Sequence, residues 1–484
     1  MPLGKGLKKN IFYILLFAVF LFTYMAALSL TDSYAVRVSE REMDLHYLPA
    51  LTRVLGFLSF TVLRRCFKGE RARGVSLLLV NALFLVSAVI LVCFEHMYLP
   101  DGVMIAALFS LSASMGHLGG MVYYVFAQAN ASNPHRGMSI GAACSLAVLV
   151  QFLLLGYMGN TVQLITMVIL FIIVSRVAIR PPADYVLEDA LPYAPDDVDY
   201  EKRVGRQLCL VMAVSALCAV MAGRIDVTFS LMSLSGNIDI YGFPRLFMIP
   251  AYLIMGFLSD RRDKRLLTAG LFTAVILSVV LLIMPFYDSR YSFFLSVYYL
   301  FIGVYIFFYT YSFMSLAPRS KRPELWAAFG RPFSDIVSGI AIAFFMGAGG
   351  GEQPGLFAAV LYCLLLAALL LVFYFGNIDP NVMPADDERR SGAFKAETGS
   401  DKDSEDAGNS EGADRLGGFL GGFPLTPREK EVAAYLIEGN MPMKAIALEL
   451  KISERSVYRY SASIYEKTGA EGRNELLRMY LKKS

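Results

Sequence analysis

The chain has 484 residues, 56% of them hydrophobic and 18% charged, with a formal net charge of +3. Soluble domains carry roughly 45–50% apolar and about 25% charged residues, so this apolar excess is too large for one soluble core and points to a bilayer. The small net charge hides a segregation that excludes a uniformly soluble protein: residues 1–376 are apolar, 377–424 acidic and 425–484 mildly basic.

Lys5, Lys8 and Lys9 precede Ile11–Leu30, a run without a charge. The apolar region of a signal peptide is shorter, about 7–15 residues. This run is long enough to cross the hydrocarbon as a helix and is expected to be the first of twelve spans. The others fall near His46–Leu63, Val75–Phe94, Val103–Ala127, Met138–Tyr157, Val162–Val177, Leu208–Met221, Gly242–Leu258, Leu266–Met284, Phe293–Leu316, Trp326–Gly347 and Leu356–Phe375. The second, seventh and eighth are short or carry an arginine.

Basic residues accumulate in alternate loops: Arg64, Arg65, Lys68, Arg71 and Arg73; Arg136; Arg176, Arg180, Lys202, Arg203 and Arg206; Arg261, Arg262, Lys264 and Arg265; Arg319, Lys321 and Arg322. The intervening loops hold Arg37, Arg41, Arg224 and Arg290. The positive-inside rule then puts both termini in the cytoplasm, in the cell's inner membrane, where DNA is within reach. Gly56-Phe57-Leu58-Ser59 recurs as Gly256-Phe257-Leu258-Ser259, each copy ending a span before a basic loop. Between the two sets of six spans, Ala178–Arg206 holds Pro181, Pro182 and seven acidic residues and reads as a solvated connector.

Residues 1–376 thereby resemble the major facilitator superfamily, whose cytoplasmic Gly-x-x-x-Asp-Arg loop is matched by Gly256 to Asp260 and Arg261. The resemblance implies two helical bundles around a central cavity. In the first-half copy Phe60 stands where the pattern has its acid, and the resemblance gives that acid a part in latching the cytoplasmic side.

Ionisable groups at membrane depth are costly and are functional candidates. Here they are Arg53, Arg245, and Arg331 with Asp335, the last two four residues apart on one helix face. That pair serves internal packing as readily as a ligand. Arg53 has no partner nearby in sequence and suits an anionic ligand, and the many tyrosines and phenylalanines suit an aromatic or apolar one. The six cysteines form no CxxC pair and the four histidines are scattered. The cysteines read as small buried hydrophobes. Neither a nucleophile–base set, nor a phosphate loop, nor a metal cluster is visible, so an enzyme and a bound cofactor are not expected.

Asn377–Phe423 is acidic and rich in Gly and Ser, with little apolar periodicity. It is expected to be a disordered tether, averaging roughly 35–40 Å from end to end.

Thr426-Pro427-Arg428-Glu429 is a capping box with Pro at the first helical position. That helix stops at Gly439, and a second is expected over Met443–Leu450 with Ile446 and Leu450 inward. Ser453 caps a third helix, Glu454–Thr468, which Gly469 ends, and Arg473–Leu481 makes a fourth. The whole stretch is similar to the LuxR/NarL/FixJ helix-turn-helix, through Leu425-Thr426-Pro427-Arg428-Glu429, Ile446-Ala447, Val457, Ile464-Tyr465, Lys467 and Leu476. The likeness implies that Glu454–Thr468 is the recognition helix in the DNA major groove and that the last helix supports a homodimer. Tyr458-Arg459-Tyr460 departs from the family's Lys-Thr-His, and Ser461 and Thr468 replace its leucines.

Arg455, Ser456, Tyr458, Arg459 and Ala462 are the candidate DNA-facing set, with Arg459 first for a guanine contact. Arg455, Lys467 and Lys444 suit phosphates. The expected architecture is all-α: a twelve-span membrane domain of two six-helix halves over 1–376, a linker over 377–424 and a four-helix DNA-binding domain over 425–484. The function that follows is a membrane-bound one-component regulator sensing a small molecule. The alternative is a transporter with an appended regulator, and a third reading is simple tethering of the DNA-binding domain without sensing.

Overall fold

Long apolar runs in a bilayer become helices because lipid offers the peptide N–H and C=O groups no other partner. The computed structural model describes residues 3–38, 42–66, 70–97, 100–131, 133–179, 198–234, 239–240, 242–261, 265–283, 291–347, 363–364, 366–370, 378, 419–420, 422–423, 425–438, 446, 450, 454–470, 476 and 479–480. Every regular element among them is helical. Two units result, Met1–Ala385 and Asp386–Ser484.

The first unit contains α1 (Leu3–Val38), α2 (Glu42–Cys66), α3 (Glu70–His96), α4 (Asp101–Ala129), α5 (Arg136–Leu154), α6 (Asn160–Ile179), α7 (Val198–Leu234), α8 (Met248–Ser259), α9 (Arg265–Ile283), α10 (Tyr291–Leu316) and α11 (Pro323–Gly347). Eight helices among the described residues are long and apolar enough to cross a membrane, and Phe243–Ser259 and Arg265–Ser278 are shorter apolar ones. Most of the last expected span, Leu356–Phe375, lies outside the described residues.

Within the first half, α2 packs on α4 and α5 on α1; within the second, α11 packs on α7 and α10 on α8 and α9. The halves meet along α5–α8 and α2–α11. Lipid tails supply little hydrophobic drive between helices, so small residues that let backbones touch decide these seams. A Cβ on Gly56 of α2 would fall 2.0 Å from the Ala113 carbonyl oxygen of α4, and one on Gly141 of α5 would fall 2.6 Å from the Tyr252 carbonyl oxygen of α8. The faces of α3 and α6 that carry Leu78, Leu79, Val86, Ile165 and Ile169 are exposed and apolar, as a lipid-facing wall requires. The cysteines divide, against expectation: Cys144 and Cys218 are buried, whereas Cys66, Cys209 and Cys363 are exposed. A small thiol is tolerated on an apolar outer face as well as in the interior.

The second unit contains α12 (Pro427–Glu438) and α13 (Glu454–Thr468). Val432, Leu436, Ile446, Val457, Ile464 and Leu476 form its core. Phe419 and Leu420, assigned from sequence to the linker, are buried in that same core. The Phe419 ring meets Tyr480 edge-on at 5.3 Å. Two apolar side chains close to a small core find burial there more favourable than solvent, so the domain starts earlier than its helical pattern suggests.

Candidate functional site

The membrane unit encloses a cavity of about 320 Å³ lined from α1, α2, α4, α5, α7, α8, α10 and α11. Arg53, Arg245, Arg331 and Asp335, the four residues singled out from sequence, all line it. Arg331 Nε lies 3.1 Å from Asp335 Oδ1, so the expected i,i+4 ion pair forms. The guanidinium also donates to the Tyr24 hydroxyl at 3.3 Å and the Tyr309 hydroxyl at 3.2 Å. The Tyr24 hydroxyl in turn donates to Asp335 Oδ2 at 3.4 Å. One arginine is thus held by an acid and two phenols from three helices.

Arg53 lies in a different environment. It is 7% exposed, and its Nε has no hydrogen-bond acceptor among the described residues. Its guanidinium carbon stands 5.6 Å from the centre of the Tyr24 ring, while that of Arg331 stands 5.2 Å from the same ring. Arg245 sits in the 3-10 turn Phe243–Phe247 that leads into α8, 6.0 Å from the Tyr299 ring centre.

The sequence reading missed two contributors. Asp226 lines the cavity and accepts from the Tyr298 hydroxyl at 2.8 Å. The expected seventh span stopped at Met221 because Arg224 and Asp226 break the hydropathy, yet α7 continues to Leu234. Tyr24 was one tyrosine among many, and no local signal sets it apart.

On the side of the basic loops the halves are joined by polar contacts. Asp260 after α8 accepts from the Gly137 and Met138 amides of α5 at 2.7 and 2.8 Å, the place where a helix leaves N–H groups unpaired. Across the other seam, Arg65 of α2 pairs with Glu324 of α11 at 2.8 Å. Phe60, at the position of the absent acid, is buried against His117 and Tyr124. Glu324 therefore supplies from the opposite half a carboxylate that the α2 end lacks.

In the second unit the capping box closes in both directions. The Glu429 amide donates to Thr426 Oγ1 at 3.3 Å, and the Thr426 amide donates to Glu429 Oε2 at 2.7 Å. The same carboxylate accepts from Ser463 Oγ at 2.7 Å and from Lys467 Nζ at 2.8 and 2.7 Å. Together these hydrogen bonds, that of Lys467 foremost, bring its pKa down to about 2. Lys467 thus ties α13 to α12, a role within the domain that the sequence did not suggest. Ser461 and Thr468 are buried and donate to the Val457 and Ile464 carbonyls at 2.9 and 2.7 Å. Their hydroxyls are thereby satisfied where apolar side chains were expected. Gly469 has φ +75°, and the Ala470 amide donates to the Tyr465 carbonyl at 3.1 Å, which is a Schellman ending.

Arg459 and Ala462 are exposed on α13, opposite buried Val457 and Ile464, and Ser456 is half-buried. The side chains of Arg455 and Tyr458, and all of Lys444, lie outside the described residues. Glu466 is also exposed on α13. Of the expected second helix, Met443–Leu450, only Ile446 and Leu450 are described, and the Ser453 cap and most of the expected fourth helix, Arg473–Leu481, lie outside the described residues.

Residues 424–480 match the model of the bacterial regulatory proteins of the luxR family. The C-terminal domain is a LuxR-type helix-turn-helix. No curated protein matches the chain by sequence. The human organic anion transporter MFSD10 (TETRAN) superposes with a TM-score of 0.50 at 14% identity, over 77% of this chain and 99% of that one. The fucose:proton symporter FucP of E. coli gives a TM-score of 0.47 at 12% identity, over 75% of this chain and 98% of that one. The unit before the LuxR-type domain is thus a membrane protein with a major-facilitator-like fold.

Proposed function

We propose that this chain is a membrane-bound one-component transcription regulator, in which the major-facilitator-like unit senses a small molecule and the LuxR-type domain binds promoter DNA. The observation that carries the proposal is the presence in one polypeptide of a DNA-binding module and of a membrane cavity lined by charged groups and tyrosines. In this reading Arg459 contacts a base, with Ser456, Tyr458 and Ala462 beside it and Arg455 and Lys444 toward phosphates, while Lys467, expected from sequence to join them, is engaged by Glu429; the exposure of Arg459 and Ala462 on α13 supports it. Two copies on DNA suit the family to which the domain belongs. The distribution of basic loops favours the cytoplasmic membrane with both termini inside.

Sensing without transport accords with Phe60, which leaves the first-half loop without its acid. A transporter that carries a regulator is favoured by the fold likeness, and counterflow of a bound compound in vesicles separates the two readings. The deciding test of the regulator is a genome-wide map of DNA bound by the full-length protein, beside an Arg459→Ala control. A few sharp peaks lost in the control support it. A map identical to the control counts against it.

A further inference from the structure

Within that sensing reading, we infer that the cavity binds a small monoanion with a flat aromatic body, docked by its charge on Arg53 and by its ring among the tyrosines beside Tyr24. Five charged residues are described in the lining, Arg53, Arg245 and Arg331 against Asp226 and Asp335, so one positive charge is in excess. The geometry separates Arg53 from Arg331. Arg331 has its counter-charge in Asp335 at 3.1 Å from Nε, which also reaches the Tyr24 hydroxyl, and its Nη1 donates to the Tyr309 hydroxyl. Arg53 is 7% exposed, against 22% for the Arg331 side chain, and has a buried Nε that no described acceptor meets.

A buried charge without a counter-charge is costly, and here the cost is raised by a second guanidinium against the same Tyr24 ring. A carboxylate seated beside Arg53 removes that cost, pairs with its fork of donors and brings the lining to neutrality. A neutral ligand leaves the charge uncompensated. A cation adds to it, and a dianion overshoots. About 320 Å³ is at the small end of ligand sites and has room for a body of one or two rings. Tyr24, Tyr298 and Tyr309 line it, and tyrosine rings are surfaces on which an aromatic body packs well.

The test uses full-length protein in lipid nanodiscs. Benzoate and 2-naphthoate are titrated against thermal unfolding, beside benzamide, benzylamine and phthalate, in the wild type, Arg53→Gln and Arg53→Lys. We expect the two aryl acids to raise the melting temperature, with half-saturation shifted at least tenfold upward in Arg53→Gln and less in Arg53→Lys. Without any acid, Arg53→Gln melts at the wild-type temperature or above it, because a lone buried charge has been removed. Neither acid stabilising the wild type, equal stabilisation by benzamide, or undiminished binding to Arg53→Gln each overturns the inference. DNA occupancy at mapped sites scores the sensing reading separately. Acids that bind through Arg53 yet leave occupancy unchanged uphold the ligand class and remove sensing. Occupancy that answers only to benzamide or benzylamine upholds sensing and overturns the class.

Discussion

Glu429 shows how much one side chain can hold in a small domain. Its carboxylate joins the cap of α12 to Ser463 and Lys467 of α13. A carboxyl whose folded pKa is about 2, against 4.5 for the free group, contributes stability that is present above pH 4.5 and is lost as pH falls toward 2. Hydrogen exchange of α12 and α13 amides in the full chain, corrected for intrinsic rates, should therefore accelerate across that window. In Glu429→Gln the acceleration should disappear, with protection already reduced by about 1–3 kcal/mol at neutral pH. Arg459 is exposed, and its guanidinium carbon lies 5.4 Å from the Tyr460 ring centre, so Arg459→Ala should leave the domain folded. Competition binding should show specificity relaxed by about 1–3 kcal/mol.

Between elements, glycine decides how closely the membrane helices approach. Because the atom that a new Cβ would meet at Gly56 is backbone, no side-chain rotation relieves the clash, and α2 has to shift from α4. Gly56→Ala should lower the melting temperature in nanodiscs by several degrees. At Gly141 the clash falls on the seam between the halves. Gly141→Ala should raise alkylation of Cys144, buried on α5, while a control at Gly156, whose added Cβ meets nothing within 4 Å, leaves it unchanged. The Gly469 ending acts through backbone conformation alone. An L-residue at φ +75° is strained, and Gly469→Ala should cost about 1 kcal/mol in exchange protection of α13.

At the scale of the whole chain, the two units differ in how far local pattern defines them. Because Phe419 and Leu420 belong to the C-terminal core, a soluble fragment begun at Phe419 should melt above one begun at Leu425. The difference should be about 3 kcal/mol, that of removing one buried Phe. Sequence determined the helical class, eight of the twelve expected runs as helices long and apolar enough to cross a membrane, the capping box of Thr426 and Glu429, the i,i+4 pair of Arg331 and Asp335, and the LuxR-type module. All of these depend on residues within a few turns of one another, where periodicity and spacing carry the physics. Tertiary structure alone decided that Tyr24 meets Asp335 across 311 positions of chain, that Asp226 faces the cavity, that Arg53 stands over Tyr24 with an unmet Nε, and that Lys467 closes on Glu429 instead of standing free. Contacts of that kind depend on which faces of distant helices pack together, and packing is set by the sum of many weak contacts that no short stretch of sequence contains.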